Sequence, residues 1–118
     1  MPRVTNAPAS RRRRQRRLKM ARGFRGARKN LYRQATEAVD RAMRMATEHR
    51  RLRKRDYRRL WIARISAACR QNGISYSRMI EGLKQANVLL NRKMLSEIAI
   101  HDPEGFTQIV EQARAGRS

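Results

Sequence analysis

An acid-free basic run is the feature of this sequence that most limits how the chain folds. Residues 11–30 read RRRRQRRLKMARGFRGARKN and contain eleven arginines and lysines without one aspartate or glutamate. Side chains of one charge repel each other in water, and this repulsion destabilises any compact arrangement of them. The run is therefore either a disordered tail or an element that lies against a polyanion.

The charge of the whole chain is unevenly distributed. Its 118 residues carry 30 Lys and Arg against 9 Asp and Glu, for a net charge of +21. Residues 1–60 hold 22 basic and 4 acidic residues, a net +18, whereas residues 61–118 hold 8 and 5, a net +3. Nucleic acid is the commonest partner that relieves such repulsion. We predict two domains, a basic helical extension at residues 1–59 and a small globular domain at residues 60–118.

The placement of glycine and proline predicts the course of the basic half. Residues 27–72 contain neither, so one very long helix, or two joined without a break, is expected there. Gly23 and Gly26 predict a bend before it. Residues 1–10 include Pro2 and Pro8 and are expected to form an extended leader. Residues 11–20 have helix-forming side chains, but too little apolar surface to pack against protein.

Capping residues divide the second half into short helices. Asn72 and Gly73 predict the end of a helix that begins near residue 60, and Ser75 and Asn91 predict two helix starts. Asp102, followed by proline and glutamate, predicts a third. No segment alternates apolar and polar residues with a period of two. The fold class expected is all-α, a long basic N-terminal extension followed by a small bundle of four short helices.

The chain lacks the residue patterns of an enzyme or a metal protein. His49, His101 and the single cysteine, Cys69, lie far apart in sequence, and no phosphate-binding loop or nucleophile motif occurs. Cys69 is expected to be a small core residue. No run approaches the roughly 18 apolar residues of a membrane span. We expect no cofactor, no metal, no small-molecule substrate and no membrane association.

Aromatic residues within the basic half favour nucleic acid as its partner. Phe24 and Tyr32 are interleaved with the charges, and aromatic rings stack on unpaired bases. The basic residues are mostly arginines, whose planar fork fits phosphate. Trp61 follows the basic half and is expected to serve as a core or hinge residue rather than to stack on a base.

Charge alone leaves two hypotheses open. The first is a structural RNA-binding protein. The second is a small basic DNA-binding protein of the nucleoid or helix-turn-helix class, since residues 71–75 lie between two predicted helices. The second predicted helix begins Tyr76-Ser77-Arg78 and has few base-reading side chains, which weakens that hypothesis.

Several stretches carry a resemblance to a known family. They are PRV at residues 2–4, LKMARGFRGARKNLYRQA, the block RRLRKRDYRRLWIARISAACRQNGISYSRMIEGLK, and LNRKMLSEIAIHDPEGF. Over nearly its whole length the sequence resembles the family of the twentieth protein, L-twenty, of the bacterial large ribosomal subunit. The resemblance implies a helical extension that penetrates ribosomal RNA, a globular all-α C-terminal domain, and a role in early assembly of the subunit.

The basic run and the resemblance together predict the residues that contact RNA. In the extension they are Arg11, Arg12, Arg13, Arg14, Arg16, Arg17, Lys19, Arg22, Phe24, Arg25, Arg28, Lys29, Tyr32 and Arg33. Near the junction they are Arg50, Arg51, Arg53, Lys54, Arg55, Arg58 and Arg59. In the C-terminal domain Arg64, Asn72, Ser75 and Tyr76 match the family pattern, as does Gly73.

The resemblance also implies partners and a location. The partners expected are large-subunit ribosomal RNA and neighbouring large-subunit ribosomal proteins. In some bacteria the family represses its own operon, which makes its own messenger RNA a further candidate partner. The location expected is the ribosome of the cytoplasm, or of the plastid stroma if the gene is plastid-encoded.

Overall fold

The computed structural model describes residues 2–116, and this part of the chain is helical without strands. Its elements are α1 (Ala7–Met20), a short 3-10 turn (Gly26–Lys29), α2 (Tyr32–Gln71), α3 (Tyr76–Gln85), α4 (Arg92–His101) and α5 (Pro103–Ala115). The predicted all-α class is confirmed. The chain divides into two compact units, of which the first ends at Arg51 and the second begins at Leu52. The predicted domain boundary at residues 59 and 60 stays a prediction.

Helix α1 begins earlier in the chain than expected. The expectation of an extended leader through Ser10 is wrong for Ala7–Ser10, which form the first turn of α1. Pro8 lies at the start of this turn, where its fixed φ suits a helix and its missing N–H removes no hydrogen bond. The Ser10 amide donates to the Asn6 carbonyl at 2.9 Å, which closes the turn. Met1 lies outside the described residues.

The predicted bend after α1 is confirmed. Gly23 has a φ of +87° and Gly26 a φ of +63°, a region of backbone conformation that favours glycine. These two glycines allow the chain to leave α1, make the 3-10 turn and enter α2.

A small apolar cluster holds the first unit together. Ala21, Ala35 and Val39 are buried, and Leu18 of α1 and Phe24 of the bend pack against them. The expectation that residues 11–20 have too little apolar surface to contact protein is therefore wrong at Leu18. Small alanine side chains let the backbone approach closely, so few apolar atoms are enough to form this contact.

Helix α2 is one uninterrupted helix of 40 residues, which is the first of the two alternatives that the absence of glycine and proline left open. It ends where expected, because Gly73 adopts a φ of +68° and the Ile74 amide donates to the Cys69 carbonyl at 3.0 Å. The expectation of four short helices in the second half is corrected in one respect. The first of them is the C-terminal end of α2, and three short helices follow it.

The core of the second unit is built from four helices. It contains Ile65, Ala68 and Cys69 of α2, Met79 and Leu83 of α3, Leu95 of α4, and Phe106, Val110 and Ala113 of α5. Cys69 is buried as expected, and its Sγ lies 3.0 Å from the Sδ of Met79. Helix α5 contacts both α3 and α4. A Cβ added at Gly82 would lie 2.7 Å from the carbonyl carbon of Ala113, so α3 and α5 approach too closely for any side chain there.

Each short helix begins with the capping residue that the sequence predicts. The Ser75 hydroxyl accepts from the Arg78 amide at 3.4 Å, and the Asn91 Oδ1 accepts from the Met94 amide at 2.9 Å. Asp102 Oδ1 accepts from the Gly105 amide at 2.9 Å. These bonds satisfy amides that have no partner inside the helix.

Replacing Asp102 with alanine is expected to destabilise the second unit by about 1 kcal/mol, because the Gly105 amide loses its acceptor. For a domain of 60–100 residues this lowers the melting temperature by about 4–8 °C. Thermal unfolding of the full chain, followed by circular dichroism, measures the change. Asp102→Asn keeps an acceptor and should retain most of the stability. Equal melting temperatures for Asp102→Ala and the unsubstituted chain would show that the cap contributes nothing.

Candidate nucleic-acid interface

The first part of the candidate interface is α1, which has no buried residue. Its predicted contact residues Arg11–Arg14, Arg16 and Lys19 are exposed. Successive residues of a helix point about 100° apart, so four consecutive arginines distribute charge around the helix instead of along one face. Such a helix suits a site with phosphate on several sides.

Two arginines of α1 are held by other residues of the first unit. The guanidinium of Arg14 lies 5.7 Å from the ring centroid of Tyr32, a cation–π contact. Arg17 forms an ion pair with Asp40, and its side chain is 29% exposed. Tyr32 is 43% exposed. Arg14 and Arg17 therefore already have contacts within the first unit.

The bend adds a second group of exposed charges. Arg22, Arg25, Arg28 and Lys29 are exposed, whereas Phe24 is half-buried because it packs on the apolar cluster. Arg33 is exposed at the start of α2, and its Nε lies 3.7 Å from Glu37. Ion pairs this exposed contribute little free energy and are easily replaced by phosphate.

The middle of α2 is the most exposed part of the interface. Every side chain of residues 40–60 is exposed, and residues 41–60 hold nine Lys and Arg against two acids. The predicted contact residues in this stretch are Arg50, Arg51, Arg53, Lys54, Arg55, Arg58 and Arg59. Within the described part of the chain, their side chains form a weak ion pair between Arg59 and Asp56, at 3.9 Å, and a hydrogen bond from Arg50 to the Thr47 hydroxyl.

Arg41 and Arg44 are exposed in the same stretch and are absent from the predicted set. They stand alone in the sequence, outside the dense basic runs on which the prediction rests. A count of basic residues at helical spacing along 27–72 would have included them, because they precede the run at residues 50–59 on the same helix.

Trp61 and Tyr57 form an aromatic pair on α2. Their ring centroids are 6.1 Å apart with planes tilted by 31°, a common geometry for two rings. Trp61 is half-buried and Tyr57 is 50% exposed. The pair therefore leaves aromatic area exposed at the end of the basic stretch.

In the second unit, Asn72 supports the fold through three hydrogen bonds. Its Nδ2 donates to the Ala68 carbonyl at 2.9 Å, and its Oδ1 accepts from the Thr107 hydroxyl at 3.0 Å. Its own carbonyl accepts from Arg114. Asn72 thereby ties the end of α2 to α5, and contact with RNA by this residue stays a prediction.

The other predicted residues of the second unit either form hydrogen bonds within that unit or are partly buried. Ser75 caps α3, the Tyr76 hydroxyl accepts from Arg92 Nε at 2.8 Å, and Arg64 is half-buried. The structure does not gather Arg64, Asn72, Ser75 and Tyr76 into an exposed basic patch like that of α1 or α2. Their RNA contacts remain predictions as well.

The chemistry of the described residues is that of binding. Burial raises the pKa of the Cys69 thiol from 9.0 to about 11, so it stays protonated and unreactive at neutral pH. Within residues 2–116, no three His, Cys, Asp or Glu side chains are grouped so that they could hold a metal ion. In the same part of the chain, no helix has both the length and the apolar character needed to cross a membrane.

Comparison with known proteins identifies the family. A family model described as ribosomal protein L20 matches residues 3–109 of the chain. The chain belongs to the ribosomal protein L20 family. The Large ribosomal subunit protein bL20 of Syntrophotalea carbinolica is 56% identical over 115 residues, 98% of each chain. The protein of the same name from Geobacter sulfurreducens is equally similar, and that of Opitutus terrae is 54% identical over 97% of this chain and 90% of its own.

Membership in the ribosomal protein L20 family confirms the resemblance and decides the functional class. The chain is a structural ribosomal protein and not an enzyme. The second hypothesis, a DNA-binding protein of the nucleoid or helix-turn-helix class, is not supported. The turn at residues 72–74 is instead the glycine-capped end of α2 before α3.

Proposed function

We propose that the chain is a structural constituent of the large ribosomal subunit, where it binds ribosomal RNA directly and promotes early assembly. The observation that carries this proposal is the exposed basic surface of α1, the bend and residues 40–60 of α2. The relatives are named as proteins of that subunit, which supports the choice of RNA.

The mechanism is electrostatic. Folded RNA brings phosphates close together where its helices meet, and the repulsion between them opposes compaction. Arginines that neutralise these phosphates release bound counterions and stabilise the junction. Because the charges surround α1 and the middle of α2, RNA on several sides is held at once.

The proposal assigns roles in RNA binding to particular residues. Tyr32 and Phe24 supply ring area for stacking on unpaired bases. The junction arginines of residues 50–59 supply most of the phosphate contacts of α2. Arg64, Asn72, Ser75 and Tyr76 are proposed as a smaller contact area of the second unit.

Sedimentation tests the proposal most directly. A native lysate is separated on a sucrose gradient and blotted for this chain, with and without a high-salt wash. We expect the chain to migrate with the large subunit under both conditions, because its basic extension is enclosed by RNA. Migration with the nucleoid, or at the top of the gradient, would contradict the proposal.

A charge variant serves as the comparison in the same gradients. Replacing Arg53, Lys54 and Arg55 with glutamine removes three exposed charges and retains good helix formers. The variant is expected to leave the large subunit during the high-salt wash. Lys84→Gln, a substitution at an exposed residue outside the predicted set, should not.

We further propose the chain's own messenger RNA as a second RNA partner, which the family resemblance suggests. The same basic surface would bind any RNA that reproduces the ribosomal site. A translational reporter that carries the chain's own leader RNA should be repressed when the chain is overproduced, and equal reporter output would contradict it. The proposed location is the ribosome, in the cytoplasm or in a plastid for a plastid-encoded gene.

A further inference from the structure

An open groove lies within the first unit, between the bend and one face of α2. Its volume is about 930 Å³, which falls within the range of small-molecule sites, about 300–1,000 Å³. Phe24, Ala38, Ala42 and Met45 form its apolar lining. Residues 38, 42 and 45 follow helical spacing, so α2 provides one continuous wall and the bend provides the other.

The charges beside this groove are mostly positive. Arg25, Arg28 and Arg41 line it together with a single carboxylate, Glu37. All three arginines are exposed, and within the described residues none of them forms an ion pair. An apolar cleft surrounded by guanidinium groups is complementary to a ligand with a flat, uncharged ring and an attached anion.

Phe24 occupies a special position in the groove. Part of its ring packs on the cluster of Ala21, Ala35 and Val39, and the remaining surface lines the groove. A ring fixed on one side loses little entropy when a second ring stacks on the other. Gln34 also lines the groove, and its amide offers both donors and an acceptor to a base edge.

We propose that this groove receives one unpaired nucleotide of the ribosomal RNA. Its base lies against Phe24 and the alanines of α2, and its phosphates pair with the arginines. This inference rests on the proposed function, because the RNA supplies the nucleotide. The chemistry favours a nucleotide over an acyl chain or an apolar peptide, since neither of these has an anion for three arginines.

Filling the groove tests the proposal. Ala42→Trp places an indole in the groove without changing any charge, whereas Leu89→Trp adds the same indole at a residue of the second unit that is 95% exposed and lies outside the predicted contact set. Binding of each full-length variant to transcribed large-subunit ribosomal RNA is measured at 0.15 M salt. Base stacking on an aromatic residue contributes about 1–3 kcal/mol, so we expect Ala42→Trp to weaken binding about 5- to 150-fold. Leu89→Trp should bind like the unsubstituted chain.

A second pair of variants tests the role of the aromatic ring. Phe24→Tyr keeps a ring and should keep the affinity. Phe24→Leu keeps an apolar contact with the cluster but removes the ring, and should weaken binding about as much as Ala42→Trp. Circular dichroism of each free variant checks that the helices are retained.

The outcomes separate this inference from the proposed function. Equal affinity for Ala42→Trp and the unsubstituted chain would overturn the nucleotide site, as would equal losses from Ala42→Trp and Leu89→Trp. A nucleotide displaced from the groove also loses its phosphate contacts with the arginines, so the salt dependence of the affinity should become shallower in Ala42→Trp. If the unsubstituted chain failed to bind the RNA, the proposed function itself would be contradicted.

Discussion

Raising the salt concentration from 50 to 200 mM is expected to weaken binding of the chain to large-subunit ribosomal RNA by a factor of about 10³–10⁵. This range corresponds to six to ten neutralised phosphates. Each phosphate releases its bound counterions when an arginine or lysine takes their place. The exposed charges of α1, the bend and residues 40–60 are enough for that number. Filter binding or fluorescence anisotropy over a series of salt concentrations measures the slope of the logarithm of the binding constant against the logarithm of the salt concentration.

Single substitutions connect the slope to particular residues. Arg55→Gln removes one predicted phosphate contact and should lower the slope by about one, with weaker binding to any RNA sequence. Lys84→Gln changes the net charge equally but lies outside the predicted set, so its slope should match that of the unsubstituted chain. A flat salt response of the unsubstituted chain would refute the electrostatic mechanism.

Replacing Phe106 with alanine is expected to destabilise the second unit by about 3–5 kcal/mol. Phe106 is 1% exposed and is the largest fully buried side chain of the core. Its removal exposes apolar surface and leaves a cavity that neighbouring helices fill only in part. Because small domains have total stabilities of about 5–15 kcal/mol, a large share of the folding free energy is lost.

Chemical denaturation of the full chain, monitored at the single tryptophan and by circular dichroism, measures this change. Phe106→Leu retains most of the apolar volume and should be clearly more stable than Phe106→Ala. Val4→Ala, at a residue 86% exposed, removes apolar atoms from the surface and should leave the stability unchanged. A loss below about 1 kcal/mol for Phe106→Ala would mean that this core is not closely packed.

Helix ends were the most predictable part of the fold, because they depend on local chemistry. The caps Ser75, Asn91 and Asp102 and the left-handed Gly73 lie where the sequence predicts them. A cap satisfies amides within its own first turn, and therefore needs no information from distant residues. The length of α2 was predictable only in part, since the absence of glycine and proline allows either one long helix or two helices joined without a break.

Packing between distant residues was less predictable. The contact of Leu18 with Ala35 and Val39 depends on the geometry of the bend, which two positive φ angles determine. Gly82 is another example, because glycine destabilises the interior of a helix and the sequence gives no reason for its presence there. The structure explains it through the backbone of α5 at Ala113, a contact that no local pattern encodes.

Charge predicted which residues of the candidate interface are exposed, but it did not predict the role of single residues. Dense basic runs identify exposed residues such as Arg53 and Arg55, because burial of unpaired charge is costly. Asn72 and Tyr76 are different, since their polar atoms already bond to protein. A family pattern matches residues kept for folding and residues kept for binding alike, so it does not separate the two roles.

The exposure of residues 40–60 affects how easily proteases cleave the chain before it binds its RNA. No side chain there is buried, so local opening of this stretch costs little and presents backbone beside many basic residues to proteases that cleave after arginine and lysine. Bound RNA would cover the same bonds. A chain made in excess of its RNA is then expected to be cleaved first within residues 40–60.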